Sequence, residues 1–287
     1  MRLAMIRTAV ILTVFNRKEI TLQGLRSLSK AIEVLGEDYT FDIYMTDDGC
    51  TDGTSEAVVK EFPDVHIIQG DGKLYWSGGM RKAWQDAINS GVEYDYYLWF
   101  NDDAVLYDDA LVTIFKSYSD AGGNAIISGA FCDKDGKVSY GGRDRKERFV
   151  VPQGKVESVF LMSGNLVLIP CSICNKLGLI DDYFKHGFGD WDYGLRAIES
   201  GFSLFLTTKY VGITERHDVD LVEYANPCLS MRERWNRLYN AKNDPVVLFK
   251  FKYNHFGLFS AVLSFIAIHV YTIMPCIYRL RLNVLPA

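Results

Sequence analysis

The sequence has no surplus of positive charge: across 287 residues, 31 Lys and Arg stand against 36 Asp and Glu, a formal net charge of -5. A chain so balanced exerts no general pull on a polyanion, so nucleic acid is not an expected partner and any anionic ligand must be held by a local site. It also lacks a GxxxxGK[ST] phosphate loop, and its first apolar run does not lead into GxGxxG, which argues against a P-loop nucleotidase and a dinucleotide cofactor. Its single CxxC, Cys171 and Cys174, has no second pair and no HxxxH to complete four zinc ligands. A chain this long needs no disulfide staples, and no signal peptide is evident, so the six cysteines are expected to be reduced in a cytoplasmic setting. There is no internal repeat or low-complexity segment. Asp, Glu, Lys and Arg are all missing between Phe256 and Tyr278.

What is present alternates short apolar runs with amphipathic stretches, the pattern of a parallel sheet covered by helices. Strands are expected at Thr8–Phe15, Phe41–Thr46, Val65–Gln69 and Tyr96–Phe100, and helices at Lys18–Leu35, Gly53–Phe62 and Gly78–Ser90. Further on, Gly141–Gly154 reads as an exposed loop or hairpin. Val156–Ile169 reads as strand broken at Ser163-Gly164-Asn165, and Asp190–Ser200 and Ser230–Ala241 as helices. In an open α/β sheet, ligands lie beyond the carboxyl ends of the strands. Asn16-Arg17, Asp47-Asp48-Gly49 and Asn101-Asp102-Asp103 follow three of the predicted strands, so they are expected to share one crevice.

Adjacent carboxylates in a crevice repel unless a positive group lies beside them. For Asp102-Asp103 a divalent ion shared with a phosphorylated ligand is the simplest such group, since Mg²⁺ and Mn²⁺ favour oxygen ligands. In TDDGCTDGT (Thr46–Thr54) the paired carboxylates can accept hydrogen bonds from a ribose or a base, and Asp52 can cap the next helix. GDGKLYWSGGMRKA (Gly70–Ala83) is a glycine-rich, aromatic turn into a helix whose start can face phosphate, with Arg81 expected in its first turn. His217, in ITERHD, can add an imidazole to a divalent site.

In this order, TVFNR (Thr13–Arg17), DDGCTDGT (Asp47–Thr54), LYWSGGMRKA (Leu74–Ala83), LWFNDDAVL (Leu98–Leu106), GDWDYGLRAIESGF (Gly189–Phe202) and ERHD (Glu215–Asp218) resemble the inverting family 2 glycosyltransferases, in particular the bacterial rhamnosyltransferase-like group of O-antigen and capsule assembly. The resemblance implies a GT-A fold: an α/β, Rossmann-like mixed central sheet flanked by helices. It implies that Thr13, Val14, Phe15, Asn16 and Asp47 or Asp48 hold the nucleotide, with Trp76, Gly78, Gly79 and Arg81 in the donor site. Asn101-Asp102-Asp103 stands at the family's DxD position, so Asp103 would bind Mg²⁺ or Mn²⁺, Asp102 would touch the ribose or donor sugar, and His217 would be a further metal ligand. Asp190 aligns with the catalytic base and Asp192 with a supporting acceptor-site carboxylate. Two positions depart from the pattern: Asn101 replaces the first DxD carboxylate and Gly189 replaces a Glu.

Residues 1–245 are accordingly expected to form the catalytic domain and 246–287 an apolar helical segment for membrane association or oligomerisation. As one helix, Phe256–Tyr278 would be about 35 Å long, enough for a bilayer core of about 30 Å. Basic flanks on both sides and Pro275 favour helices embedded in or lying against the inner leaflet over a true span. A dimer interface or a lid is the alternative. The expected activity is transfer of a sugar from a nucleotide-sugar donor, dTDP-rhamnose or a UDP-hexose, to a lipid-linked glycan at the cytoplasmic face of the inner membrane. The competing readings are a sugar nucleotidylyltransferase, which would want a basic glycine-rich loop after the first strand, and a degenerate, non-catalytic domain acting as an assembly partner. The Arg-rich Met231–Arg237 stretch is a candidate contact for acceptor diphosphate or anionic headgroups.

Overall fold

The computed structural model describes residues 5–216, 222–240 and 244–278. Packing divides the chain into two compact units. One comprises the residues up to Lys185 together with Gly189–Arg216; the other comprises His186–Phe188 and the described residues from 222 onward.

The first unit begins with β1 (Ile6–Val14), α1 (Lys18–Leu35), β2 (Tyr39–Asp47), α2 (Thr54–Glu61), β3 (His66–Gln69), α3 (Tyr75–Asn89) and β4 (Tyr96–Phe100). These four strands are parallel in the order β3-β2-β1-β4. Alternation along a strand sends successive side chains to opposite faces. Val10, Leu12, Val14, Leu98 and Phe100 therefore pack with Leu25 and Leu28 of α1 on one face. Ala9, Ile11, Tyr97 and Trp99 pack with Met80, Ala83 and Trp84 of α3 on the other. Because β1 pairs with β2 on one side and β4 on the other, the chain reverses its winding between β1 and β4, and a crevice opens at their carboxyl ends.

The chain continues through β5 (Val105–Leu106), α4 (Ala110–Asp120), β6 (Ala125–Cys132), β7 (Val138–Tyr140), β8 (Gly142–Arg143), β9 (Glu157–Ser158), β10 (Leu161–Met162), β11 (Leu166–Pro170), α5 (Cys171–Leu177), α6 (Gly189–Glu199) and β12 (Ser203–Ile213), with β8 and β10 paired in a separate two-stranded sheet. β11 runs antiparallel between β4 and β6, and β12 runs parallel to β6. The result is the expected mixed sheet with helices on both faces. The expected strand break at residues 163–165 is the link between β10 and β11, and Gly201 takes a left-handed φ of 88° just after α6, as a terminating glycine does. The predicted third helix differs: α3 starts at Tyr75, not Gly78, so Arg81 lies in its second turn.

The second unit contains a 3-10 turn (Glu223–Ala225), α7 (Met231–Leu238) and α8 (Pro245–Ile273). A capping box between Ser230 and Glu233 starts α7. The apolar tail is not one straight helix: Gly257 has φ 80° and ψ 171°, outside the helical region. Phe249 and Phe265, which a straight helix would hold about 24 Å apart, have ring centroids 6.0 Å apart. The two arms, 245–256 and 258–273, thus fold back as a helical hairpin. Glycine permits the positive φ at the turn, and Pro275 follows the end of the second arm at Met274. Arg234 of α7 is buried and donates to the Thr272 carbonyl at 2.7 Å, satisfying an end carbonyl of α8, and also to Leu229 O. Arg237 pairs with Glu223. These two arginines of the Met231–Arg237 stretch are therefore engaged within the unit.

Candidate active site

Loops after β1, β2 and β4 frame the crevice, and hydrogen bonds fix each. Val14 O accepts from Asp48 N at 3.0 Å, and Asn16, with φ 49°, accepts from Thr51 N through Oδ1 at 2.7 Å. Asp52 receives Thr54 N on one oxygen and Lys18 N on the other, so one carboxylate caps the starts of both α1 and α2. Thr13 packs against Gly79, where a Cβ would come within 2.0 Å of Thr13 Oγ1, so α3 can lie this close to β1 only with glycine there. Gly78 would bring a Cβ to 3.2 Å from Leu74. Phe15 and Tyr75 are exposed aromatics, and Tyr75 holds a left-handed φ of 54°.

Several of the expected ligand residues are already engaged within the protein. Asp47 accepts from Gly49 N, Cys50 N and Ser55 Oγ. Burial pushes its pKa up, but these donors outweigh burial and the net shift is downward. Asp48 accepts from Gly72 N, Leu74 N and Tyr75 N, all at 3.0 Å. Both carboxylates are buried and brace the loops that follow β2 and β3. Arg81 donates to Ile180 O at 2.5 Å and ties α3 to the segment after α5. Asp192 is 1% exposed and paired with Arg196 at 2.8 Å. Arg196 in turn holds the carbonyls of Leu177 and Leu179, so Asp192 braces α6 through Arg196.

At the end of β4 the side chains alternate. Asn101 and Asp103 face the crevice, while Asp102 turns inward, fully buried, and accepts from Thr21 Oγ1 at 2.6 Å. Burial pushes the Asp102 carboxyl up to about 6 against the Arg17 charge and the Thr21 hydrogen bond. This carboxylate, expected at a ribose or sugar, is here enclosed on Thr21 and Arg17. Asn101 Oδ1 accepts from Trp76 Nε1 at 2.5 Å. Arg17 reaches both Asp102, at 2.7 Å, and Asp103, at 3.2 Å.

Asp190 is half-buried in the first turn of α6. Its Oδ1 accepts from Trp191 N at 2.9 Å and its Oδ2 from Gly164 N at 3.1 Å. Burial raises the carboxyl to about 6, opposed by those two N–H groups and by the Arg143 charge. A carboxylate so tuned titrates close to neutrality, where a general base works best. Gly164 joins it to the crevice: a Cβ there would strike the Trp76 ring at 2.3 Å, and the neighbouring Asn165 carbonyl accepts from Asn101 N at 2.9 Å. Gly189 has a similar reason to be glycine, since a Cβ would stand 2.3 Å from Ser77 Oγ. Asp190, Gly164, Trp76, Asn101, Asp103 and Arg17 thus form one continuous set. Sequence reasoning had taken the 163–165 segment as a strand break and left Arg17, Asn101 and Tyr75 without individual roles. The polar cluster after the first strand and the aromatic turn were the signals for Arg17 and Tyr75.

Among the described residues, no group of three or more His, Cys, Asp or Glu side chains gathers as a complete metal site. His217 lies outside the described residues. Asp103, 14% exposed at the crevice, suits an ion that takes one carboxylate and completes its shell with ligand phosphate and water, as Mg²⁺-type ions do.

No curated protein matches the chain significantly in sequence. Among solved structures, it is similar to the mannosyltransferase PcManGT from Pyrobaculum calidifontis in complex with GDP-Man and Mn²⁺, with 14% identity and a TM-score of 0.54, covering 97% of this chain and 79% of that one. It is also similar to residues 1–349 of S. aureus TarS in complex with UDP-GlcNAc, with 13% identity and a TM-score of 0.54, covering 87% and 73%. These likenesses establish the GT-A architecture. The model of the family described as glycosyl transferase family 2 matches residues 9–178, more than half of the chain. With the crevice at the β1/β4 switch point inside that match, the chain belongs to glycosyl transferase family 2 and is a glycosyltransferase.

Proposed function

We propose that the chain is an inverting glycosyltransferase of the rhamnosyltransferase-like group, moving a sugar from a nucleotide-sugar donor in the β1/β4 crevice to a hydroxyl of a lipid-linked glycan in cell-surface polysaccharide assembly. The observation that carries the reading is Asp190: held by the Gly164 and Trp191 amides, raised to about 6, and joined through Gly164, Trp76 and Asn101 to the end of β4. Asp190 takes the proton of the acceptor hydroxyl as that oxygen attacks the anomeric carbon from the face opposite the leaving nucleoside diphosphate. Phe15 and Tyr75 offer exposed rings to a base, and the loops braced by Asp47 and Asp48 frame it. Asp103 would hold Mg²⁺ or Mn²⁺, which when bound stabilises negative charge on the departing diphosphate. The relatives bound to GDP-Man with Mn²⁺ and to UDP-GlcNAc support this donor class and a divalent ion. dTDP-rhamnose and UDP-hexoses are the donors to try first.

Residues 1–245 serve as the catalytic part and 246–287 as the membrane-contacting part, at the cytoplasmic face. The hairpin supports insertion into one leaflet. At 1.5 Å per residue its arms are about 18 and 24 Å long, short of a bilayer core of about 30 Å. Leu258 and Phe259, at the turn, are 60% and 78% exposed. From 245 to 287 the sequence contains Lys250, Lys252, Arg279 and Arg281 but no Asp or Glu, which complements an anionic headgroup layer. A thermal-shift screen of nucleotide sugars with Mn²⁺ or Mg²⁺ tests the donor reading. Stabilisation by one nucleotide family supports it, and no shift with any donor and either ion contradicts it.

A further inference from the structure

Arg17 stands where a metal ion would meet Asp103. Its Nη1 is 3.2 Å from Asp103 Oδ2 and its Nη2 is 2.7 Å from Asp102 Oδ1. The two arms are unequal. Asp102 is fully enclosed and anchored by Thr21 at 2.6 Å, so withdrawing Arg17 from it would strand a buried charge. The Asp103 arm is longer and both partners have some exposure, 35% for Arg17 and 14% for Asp103, so it is the weaker of the two. The guanidinium gives each carboxylate its own nitrogen in one rigid plane, whereas a lysine ammonium would have to serve both from a single nitrogen.

We propose that Arg17 is an interlock that makes metal binding depend on the donor's diphosphate. Without ligand, Arg17 neutralises Asp103 and opposes a divalent cation there by like-charge repulsion. When a diphosphate arrives, Nη1 transfers from Asp103 to a phosphate oxygen while Nη2 stays on Asp102, and Asp103 is released to the ion. Asp102 is then a positioning residue that keeps Arg17 within reach of both states. Metal and diphosphate affinities become coupled, each raising the other by the same factor. The consequence for the enzyme is that it does not hold a divalent ion idle: the ion enters with the donor and is released with the product diphosphate. This rests on the reading of Asp103 as the metal-binding carboxylate.

The test is Mn²⁺ binding to the full chain, followed by the paramagnetic resonance signal of free Mn²⁺, first without nucleotide and then with UDP, GDP or dTDP. Arg17→Gln is expected to bind Mn²⁺ alone about tenfold more tightly than the unaltered protein, within the usual span of coupling factors. A nucleoside diphosphate is expected to raise Mn²⁺ affinity more in the unaltered protein than in Arg17→Gln. Arg17→Lys, which retains the charge without the fork, is expected to lie between them, and it carries the comparison if Arg17→Gln fails to fold. Equal or weaker Mn²⁺ binding by the Arg17 variants overturns the interlock. No Mn²⁺ binding by any form, with or without nucleotide, overturns the metal reading beneath it, as does Mn²⁺ retained undiminished by Asp103→Ala.

Discussion

Asp190 receives two backbone N–H groups from different elements, one from its own helix and one from the 163–165 link, and this fixes both its direction and its charge state. Asp190→Asn is expected to lower the transfer rate by about 10²- to 10⁴-fold, the usual contribution of a positioned base, with donor affinity nearly unchanged when both are measured on the same preparation. The raised pKa sets the pH dependence: below about 6 the carboxyl is protonated and cannot accept, so the rate should climb with pH through about 6 and then level off. A profile flat from pH 5 to 8 would contradict this role. Gly189→Ala places a Cβ against Ser77 Oγ and is expected to cost about 1–3 kcal/mol of stability by denaturant unfolding, with part of the loss recovered in a second Ser77→Gly change. That Asp190 lies at a helix start was legible in the sequence. The inward turn of Asp102 was not, since it depends on which face of β4 each residue takes once the strand has paired with β1. The backbone partners of Asp47 and Asp48 were not legible for a related reason: a carboxylate at a strand end looks the same in sequence whether it meets a ligand or a loop amide.

Elements were read well where hydrophobic period and termination agreed. α1 and β4 lie where the pattern predicts them, because an amphipathic stretch ending before Gly36 and a five-residue apolar run leave few alternatives. The start of α3 was misjudged by three residues because the glycine-rich, aromatic run before Gly78 reads as a turn, whereas Tyr75, Trp76 and Ser77 already belong to the helix, and Gly79 lets it press on Thr13. Gly79→Ala should therefore separate α3 from β1 and weaken donor binding together with stability, a pairing that titration calorimetry and unfolding on one sample can check. In the apolar tail the break legible in the sequence is Pro275, whereas the chain turns at Gly257 and folds the tail into a hairpin. Exposed Leu258 and Phe259 at the turn make a direct prediction. Leu258→Asp with Phe259→Asp should abolish flotation with vesicles containing anionic lipid while leaving the melting temperature unchanged. If flotation persists and the protein instead changes from dimer to monomer, the hairpin is an interface between copies.

Across the whole molecule, net charge describes neither part. A sheet carries carboxylates at its strand ends, and a tail with basic and apolar residues but no acidic ones fits the membrane contact proposed for it. The parallel half of the sheet, from which the crevice follows, was legible because its strands are short runs and three of the four are closed by a polar cluster. The path from Asp190 to Asn101 was not, because it passes through residues 163–165, distant in sequence from both, and exists only once β11 has paired against β4. The central claim is that this crevice transfers a sugar with Asp190 as base. Its most direct measurement is nucleoside diphosphate release from a panel of nucleotide sugars, with a polyprenyl-linked acceptor and Mn²⁺ or Mg²⁺, by the unaltered protein and Asp190→Asn side by side. The account predicts acceptor-dependent release from at least one donor, lost in Asp190→Asn while that donor still binds. Release by Asp190→Asn at the unaltered rate would contradict it.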